Sequence, residues 1–358
     1  MNVSTRLSTN RARVVIDLAS LVANARTVQA AAHGAPLLPM VKADAYGLGA
    51  IPVARALEAV EPWGYGVATV EEGIELREAG IRRPILVLTP PPAELLSAYR
   101  DHDLRAVLDR PAVADVWDLP FHLEIDTGMA RCGVRWDDAE EIAACGSRWL
   151  EGIFTHFSAA DQGRETVDAQ WSRLQTALAA LEERPALVHA QNSAGAWRLQ
   201  ERLDLARPGI FLYGGEHAPD LPAPQPVVTL QAPVVSLRRV RRGETVSYGG
   251  TWSAPRDTTV ATLGIGYGDG VARAVAGQAE VLVGGTRRPL VGRVTMDFVM
   301  VDLEGLAPSV RVGDLATLVG RDGDDRITID EFAAWAGTIA YEALTRLGMR
   351  ATREYLGG

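Results

Sequence analysis

The chain has 358 residues, of which 47% are hydrophobic and 23% are charged, and its formal net charge is -9. This length exceeds one small core and indicates two domains, or one large barrel with an addition. The negative charge disfavours nucleic acid as a partner, and no basic run or basic amphipathic helix indicates a membrane surface.

Targeting and redox signals favour the cytoplasm. Residues 1–18 lack the long apolar core of a signal peptide, and no apolar stretch is long enough to span a bilayer. Cys132 and Cys145 do not form a CxxC pair, which is typical of a reducing compartment. We therefore expect a soluble, cytoplasmic protein.

From residue 36 onward, short β-rich runs alternate with helical patterns. The predicted strands are 37–41, 65–69, 85–89, 104–108, 121–126, 150–154, 187–191 and 203–206. Helical spacing of apolar residues is clearest in "VEEGIELREAG" and "ETVDAQWSRLQTALAALEE". Eight strands over about 170 residues predict an α/β fold of the (β/α)8 TIM-barrel type, with a doubly wound sheet as the alternative. The helix in "RPAVADVWD" and the eighth strand are the weakest elements of the pattern.

A proline-rich segment, 216–228, interrupts this alternation and indicates a domain boundary. Beyond it the chain is β-rich with glycine turns, which is typical of a small sheet or barrel domain. We predict a barrel domain over 11–226 and a mainly-β domain over 227–358. The early run 12–18 could add a strand to the second domain.

Polar side chains follow several predicted strands at the rim where barrel enzymes carry their chemistry. Lys42 in "PMVKADAYGLGA" follows the first strand, Arg131 in "DTGMAR" the fifth, and His156 in "FTHFSAAD" the sixth. The loops after strands seven and eight, "NSAG" and "RPGIFLYG", supply Asn192, Ser193, Arg207, Gly209 and Ile210. Each residue alone has an ordinary structural explanation, but their convergence on one rim indicates a site.

The last two of these loops have the composition of a phosphate site. Barrels often bind phosphate there, and the Ser193 hydroxyl and the N–H groups of Gly209 and Ile210 are suitable donors. A phosphate site opposite Lys42 predicts pyridoxal 5'-phosphate, held by that lysine as a Schiff base. Burial would lower the pKa of the amine and make it available. No residue pattern indicates a metal.

Eight motifs in order resemble bacterial alanine racemases over essentially the whole chain. They are "VKADAYGLG", "DTGMARCG", "THFSAAD", "NSAG", "RPGIFLYG", "VSYGGTW", "GIGYGDG" and "VGRVTMD". The resemblance implies a pyridoxal-phosphate-dependent isomerase that makes D-alanine for peptidoglycan. It also implies a homodimer in which the second domain of one subunit completes the active site of the other.

The resemblance also implies residue roles. Lys42 corresponds to the cofactor-binding base on the D-face of the substrate, and Tyr267 to the opposing L-face base from the other subunit. Arg131 would lie near the cofactor and the substrate carboxylate, and the backbone N–H of Met296 would bind that carboxylate. The remaining cofactor-binding residues would be Tyr46, His156, Asn192, Ser193, Arg207, Gly209 and Ile210, with His156 beside the ring and hydrogen-bonded to Arg207. An arginine facing the ring nitrogen would leave that nitrogen unprotonated, which favours racemisation over transamination.

The chain departs from the family pattern at Leu48, Thr295, Glu124 and Met349. At the position of Glu124 many members have a lysine whose carbamate orients the active-site arginine. Because a glutamate is already a planar anion, we predict that Glu124 replaces the carbamate and pairs with Arg131. A Glu124 side chain that faces the helices or solvent is the alternative.

Each of three other functions agrees with only part of the sequence. Thr295 and Glu124 leave open a broader amino-acid racemase that acts on serine or larger residues. A non-catalytic, single-domain pyridoxal-phosphate-binding protein would lack residues 227–358 and Tyr267. A two-domain decarboxylase of the same barrel class would lack "GYGDG" and "VGRVTMD". We predict alanine racemase activity.

Overall fold

The computed structural model describes residues 11–306, 309–347 and 350–357. The chain divides into two compact units. The barrel unit is Ser20–Gln225, and the β unit combines the chain through Ala19 with the chain from Pro226 onward.

The barrel unit contains a curled parallel sheet of six strands, which neighbour one another in chain order. These strands are short, and most of their residues are buried, as expected for strands inside a ring of helices. Their bounds are β2 (Tyr65–Val67), β3 (Ile85–Val87), β4 (Arg105–Leu108), β5 (Phe121–Asp126), β7 (Leu150–Phe154) and β8 (Leu187–His189). The two-residue β6 (Val134–Arg135) pairs with the end of β5.

Two extended segments close this sheet into a ring. The first predicted strand forms bridges from Met40 to Gly66 in β2 and from Leu37 to Ala206. A further bridge joins Leu205 to His189 in β8. The ring therefore has eight strand positions, and the predicted (β/α)8 barrel is confirmed, although the first and eighth positions are reduced to isolated bridges.

The helices of the barrel lie between these strands. Their bounds are α1 (Leu18–Ala31), α2 (Ala50–Leu57), α3 (Val70–Glu78), α4 (Leu96–Asp101), α5 (Pro111–Ala114), α6 (Ala139–Ala144), α7 (Arg164–Leu178) and α8 (Gly195–Arg198). The weak fourth helical pattern corresponds to α5, a single turn that begins with a proline. Helix α3 begins with a capping box in which the Thr69 hydroxyl accepts the N–H of Glu72, and Glu72 accepts the N–H of Thr69.

The β unit is built on the long strand β9 (Val228–Val240). The first part of β9 pairs with β1 (Arg13–Asp17) and β16 (Leu315–Asp322), and its second part pairs with β12 (Thr258–Leu263). The early run 12–18 thus contributes β1 to this sheet, where β1 also pairs in parallel with β18 (Thr352–Leu356).

The rest of the β unit consists of shorter strands and two helices. The strands are β10 (Thr245–Val246), β11 (Trp252–Ser253), β13 (Glu280–Val283), β14 (Thr286–Pro289), β15 (Val299–Asp302) and β17 (Asp325–Ile327). The helices are α9 (Ile329–Trp335) and α10 (Ala340–Arg346). The prediction of a mainly-β second domain is confirmed. None of the helices in the described part of the chain is long and apolar enough to span a bilayer.

Candidate active site

Lys42 begins a short left-handed turn directly after the first strand of the barrel. The next three residues have φ of 53° and Tyr46 has φ of 56°, before Gly47 at 85°. A left-handed conformation costs a non-glycine residue about 1–2 kcal/mol, so four in succession require support from their surroundings. Such strain is concentrated at functional sites in proteins.

Two carboxylates hold this turn in place. Asp44 Oδ1 accepts the N–H of Ala50 at 2.8 Å, which ties the turn to the start of α2. Glu72 Oε1 accepts the N–H of Ala43 at 2.7 Å, and its Oε2 accepts the N–H of Ala68 at 2.7 Å. Glu72 therefore fixes the residue after Lys42 to the segment that follows β2.

The surroundings of the Lys42 amine favour the loss of its proton. Burial lowers its pKa from the ordinary lysine value, the positive charges of Arg131 and Arg207 lower it further, and Glu72 opposes them. Among the described residues, the amine has no hydrogen-bond or ion-pair partner. A neutral amine that is not committed to a structural contact is suited to nucleophilic or base chemistry.

The composition of the chain sets Lys42 apart in a way that strand-by-strand reasoning missed. It is the only lysine in the sequence, among 36 lysine and arginine residues. All the others are arginines, whose guanidinium groups stay protonated and cannot act as amine nucleophiles. Lys42 therefore carries the only side-chain amine of the sequence.

The predicted phosphate residues converge on the loop after the eighth strand position. Ser193 Oγ accepts the N–H of Gly209 at 3.0 Å and that of Phe211 at 3.4 Å. A Cβ at residue 209 would collide with the Tyr46 hydroxyl, so glycine lets that hydroxyl approach the backbone. The ring of Tyr46 stacks on Tyr213 with centroids 4.5 Å apart. Hydroxyl and backbone N–H groups thus lie together at this loop, and groups of these kinds bind anions in proteins.

Asn192 has a supporting position in the same region. Its Oδ1 accepts the N–H of Gly195 at 2.8 Å, and its Nδ2 donates to the carbonyl of Phe157 at 3.4 Å. Both contacts shape the loop that carries Ser193.

Arg207 is buried and is held by a set of partners that the sequence indicated only in part. The predicted contact to His156 Nδ1 is long, at 3.5 Å. The shorter bonds run from Nη1 to His189 Nδ1 at 2.6 Å and from Nη2 to the carbonyl of Thr155 at 2.7 Å. Burial, with Arg131 adding and Glu124 opposing, lowers the pKa of Arg207 to about 10, so it stays protonated near neutral pH.

His189 connects Arg207 to a second buried histidine, His122. Because arginine only donates, His189 Nδ1 must accept, and His189 Nε2 then donates to His122 Nδ1 at 2.7 Å. His122 Nε2 lies 3.5 Å from a carboxylate oxygen of Glu151. Sequence reasoning missed this chain, although His122 shares a strand face with Glu124, two residues on.

All three histidines in this region are held neutral. Burial is the main cause in each case: it lowers the pKa of His122, lowers that of His189 well below the ordinary value, and, with Arg207, Arg131 and Lys42, lowers that of His156 to about 3. Because these imidazoles are neutral, each of their ring nitrogens has a fixed role as donor or acceptor. The histidines therefore orient Arg207 without adding charge.

Glu124 lies inside the barrel, but the predicted fork with Arg131 is not formed. The side chain is only 5% exposed. Burial raises its pKa, and the positive charges of Arg131 and Arg207 oppose that effect. No ion pair within 4.0 Å joins Glu124 to Arg131 among the described residues, and Arg131 is exposed. The two side chains therefore interact by charge at a distance.

The loop that carries Arg131 is fixed by Asp126 at the end of β5. One oxygen of Asp126 accepts the N–H groups of Gly128, Met129 and Ala130 at 2.9, 2.9 and 3.0 Å. This arrangement explains why "DTGMAR" has an aspartate five residues before its arginine.

Tyr267 and Met296 belong to the β unit and are both well exposed, at 43% and 53%. Tyr267 opens a one-turn 3-10 helix, Tyr267–Asp269, after β12. Its N–H donates to the carbonyl of Thr295 at 3.0 Å, so the two predicted motifs lie side by side. Thr295 uses its hydroxyl within its own turn, at 3.0 Å from both the N–H and the carbonyl of Phe298.

Two further positions, Leu48 and Met349, depart from the family pattern. Leu48 is fully buried in the barrel unit. Met349 lies outside the described residues.

The rim of the closed (β/α)8 barrel carries a lysine without a hydrogen-bond or ion-pair partner among the described residues, and a loop rich in hydroxyl and N–H groups. Together with a β unit that carries an exposed tyrosine, these features define a class of two-domain barrel enzymes. Residues 16–217 match the family model "Alanine racemase, N-terminal domain", and residues 227–355 match "Alanine racemase, C-terminal domain". The chain belongs to the alanine racemase family, and it is an isomerase that interconverts L-alanine and D-alanine.

Individual relatives agree with this assignment. The chain is 43% identical over 333 residues to alanine racemase from Deinococcus radiodurans, covering 89% of this chain and 92% of the relative. It superposes on the crystal structure of alanine racemase from E. faecalis with a TM-score of 0.89 at 34% identity, covering 97% and 98% of the two chains. The alanine racemase of Bartonella henselae, solved with covalently bound pyridoxal phosphate, gives a TM-score of 0.89 at 28% identity, with 97% and 99% covered.

The comparisons narrow the set of alternative functions. The predicted family, fold and activity are confirmed. A single-domain, non-catalytic cofactor-binding protein is excluded, because the C-terminal racemase domain is present as well.

Proposed function

We propose that this chain racemises alanine with pyridoxal 5'-phosphate bound through Lys42, using Lys42 and the partner subunit's Tyr267 as two bases. The observation that carries the proposal is the single lysine of the sequence, half-buried at the barrel rim with a lowered pKa and no hydrogen-bond or ion-pair partner among the described residues.

The residues of the barrel rim fit the cofactor. Tyr46, Ser193, Gly209 and Ile210 supply hydroxyl and N–H groups for its phosphate, and Lys42 supplies the amine for its aldehyde carbon. In the alanine racemase of Bartonella henselae this cofactor is covalently bound. When bound, pyridoxal phosphate supplies the electron-accepting ring that allows an amino-acid α-proton to be removed.

The protein residues then divide the work of binding and proton transfer. Lys42 accepts or returns a proton on the D-face of alanine, and Tyr267 does so on the L-face. Arg131 and the N–H of Met296 bind the substrate carboxylate. The Met296 N–H fits this role because it donates no hydrogen bond within the described part of the chain.

Arg207 and the histidines set the electronic character of the site. Arg207 offers only N–H donors, and His189 fixes its orientation. Arg207 would therefore donate a hydrogen bond to the cofactor's ring nitrogen and would leave that nitrogen unprotonated. Through these donors Arg207 would favour racemisation over transamination. His156 lies beside Arg207 as a neutral imidazole. Asn192 shapes the loop that carries Ser193.

Glu124 takes the place of a carbamylated lysine as the negative charge near Arg131. Since Lys42 is the only lysine, the chain has no other side-chain amine that carbon dioxide could modify. Glu124 acts through its charge, because no direct bond to Arg131 is made, and activity is therefore independent of dissolved carbon dioxide.

We also propose a homodimer, because Tyr267 and Met296 are far more exposed than groups that act in a closed site can be. A partner subunit that covers them would complete the site. The two free cysteines, Cys132 and Cys145, are compatible with the cytoplasm, where D-alanine would be made for peptidoglycan.

Reductive labelling tests the cofactor attachment. The protein is incubated with pyridoxal phosphate, reduced with borohydride, digested and analysed by mass spectrometry. Because the chain has one lysine, we expect the adduct on the peptide that contains Lys42 and no labelling of that peptide in Lys42→Arg. An adduct confined to the N-terminal amine, or no adduct on a preparation that racemises alanine, would contradict the proposal.

A further inference from the structure

Two turns of the β unit are joined into one element. The tyrosine turn is residues 266–270, and the methionine turn is residues 295–297. The N–H of Tyr267 donates to the carbonyl of Thr295 at 3.0 Å, and the N–H of Gly268 donates to the carbonyl of Met296 at 2.9 Å. A Cβ at residue 266 would collide with both carbonyls, so glycine is required for this close approach.

Arg350 contacts both turns with its guanidinium. Its Nε and Nη2 donate to the two carboxylate oxygens of Asp269 at 2.9 and 3.0 Å, which is a bidentate pair. Its Nη1 donates to Asp297 Oδ1 at 2.8 Å, and its Nη2 donates to the carbonyl of Met296 at 3.2 Å. One side chain therefore binds the last residue of the Tyr267 helix and two residues of the methionine turn.

Asp269 connects this clamp to the start of the tyrosine turn. Its Oδ2 also accepts the N–H of Gly266 at 2.9 Å, so the carboxylate spans the turn on either side of Tyr267. Asp269 is only 7% exposed, and a carboxylate that is buried to this extent needs a positive partner. Arg350 is the cation in contact with it.

We propose that Arg350 is a positioning residue for racemisation, which holds the Tyr267 side chain and the Met296 N–H in one fixed arrangement. The inference rests on the proposed roles of Tyr267 as the L-face base and Met296 as a carboxylate ligand. Arg350 itself touches neither the substrate nor the reacting atoms in this account. Its effect is to keep two groups from different loops at a constant separation.

Exchange of the substrate α-proton with solvent separates this role from a general structural one. In deuterium oxide, removal of a proton from L-alanine depends on Tyr267, whereas D-alanine can exchange through Lys42 alone. A misplaced Tyr267 therefore slows exchange of L-alanine selectively. A protein that is merely less stable loses both exchange rates in proportion to its folded fraction.

The experiment measures both exchange rates in the pyridoxal-phosphate-loaded enzyme by mass spectrometry. We expect Arg350→Gln to slow L-alanine exchange by about tenfold to a hundredfold and D-alanine exchange by about threefold or less at saturating substrate. The KM for both enantiomers should rise, because Met296 would bind either carboxylate. Arg350→Lys, which keeps the charge but not the fork, should have an intermediate effect.

Two controls make the outcomes distinct. Arg346→Gln removes an exposed arginine on α10 that pairs with Glu342, and it should leave both rates unchanged. Tyr267→Phe should show the selective loss for L-alanine. If Tyr267→Phe slows both enantiomers equally, the proposed role of Tyr267 fails. If Tyr267→Phe is selective but Arg350→Gln slows both equally or neither, the positioning role of Arg350 is overturned. Should Arg350→Gln not fold, the ratio of the two rates in Arg350→Lys decides.

Discussion

Lys42 and Tyr267 both lie in short turns after a strand, but the two turns are stabilised in different ways. The Lys42 turn has four successive non-glycine residues at positive φ, held by Glu72 and Asp44. The Tyr267 turn has glycine on both sides of the tyrosine and adopts positive φ only at Gly270. It is held by Asp269 and Arg350.

The difference indicates how each of the two proposed bases is prepared for its role. The Lys42 turn stores strain around an amine whose pKa is already lowered by burial within the barrel. The Tyr267 turn is unstrained and leaves its side chain 43% exposed. We infer that the barrel unit prepares its base internally, whereas the base of the β unit depends on a surface that covers it.

The largest expected effect is that of Lys42→Arg. This substitution keeps the positive charge but removes the amine, so racemisation should fall by at least about 10³-fold. The measurement is the rate of D-alanine formation by chiral chromatography. A matched control is Arg164→Lys, which adds an exposed lysine on α7 and should change neither the activity nor the labelled peptide. Substantial activity in Lys42→Arg would remove the amine from the mechanism.

A smaller effect is expected for Glu72→Gln, which loses one of two carboxylate acceptors at the strained turn. We expect kcat to fall about tenfold, because one backbone N–H at the turn loses its charged partner. The neighbouring variant Glu71→Gln, at an exposed position, should behave like the unmodified protein. Equal activities of the two variants would mean that the turn does not need Glu72.

Glu72→Gln also has a predicted pH signature in the cofactor-free protein. The Glu72 charge raises the pKa of Lys42, so its removal should lower that pKa further. The reaction rate of Lys42 with an amine reagent rises as the amine deprotonates. Its midpoint should therefore lie below the ordinary lysine value and move to still lower pH in Glu72→Gln. A shift to higher pH would contradict the assignment.

The smallest effect is expected for Glu124→Gln. With no direct bond to Arg131, the lost interaction is long-range, and kcat should fall only about threefold with the cofactor still bound. Activity of the unmodified protein should not change when dissolved carbon dioxide is removed. An unchanged kcat and KM in Glu124→Gln would show that Glu124 has no role in orienting Arg131.

Much of the barrel could be predicted from sequence because its buried strands are short apolar runs separated by helical patterns. The residues of the rim could be predicted for the same reason, because the polar residues of the site follow the strand ends in the sequence. Ser193 and Gly209 meet as expected because both follow adjacent strand positions. The single lysine was also visible in the composition, although strand patterns do not make use of it.

Other parts of the site could not be read from sequence spacing. Glu72 reaches the Lys42 turn through tertiary structure, and its sequence signal is only a capping box at the start of α3. The contact of Arg350 with Asp269 spans 81 residues. The predicted fork between Glu124 and Arg131 failed for a geometric reason. Glu124 faces the barrel interior, while Arg131 lies exposed on a loop that Asp126 fixes.

Subunit mixing tests the division of the two bases between subunits most directly. Lys42→Ala and Tyr267→Phe proteins, each expected to be nearly inactive alone, are combined under conditions in which subunit exchange is verified by mass spectrometry. Random exchange makes half of the dimers mixed, and each mixed dimer has one site in which both bases are intact. We predict recovery of about one quarter of the unmodified activity. No recovery despite verified exchange would contradict the account, because both bases would then come from a single chain.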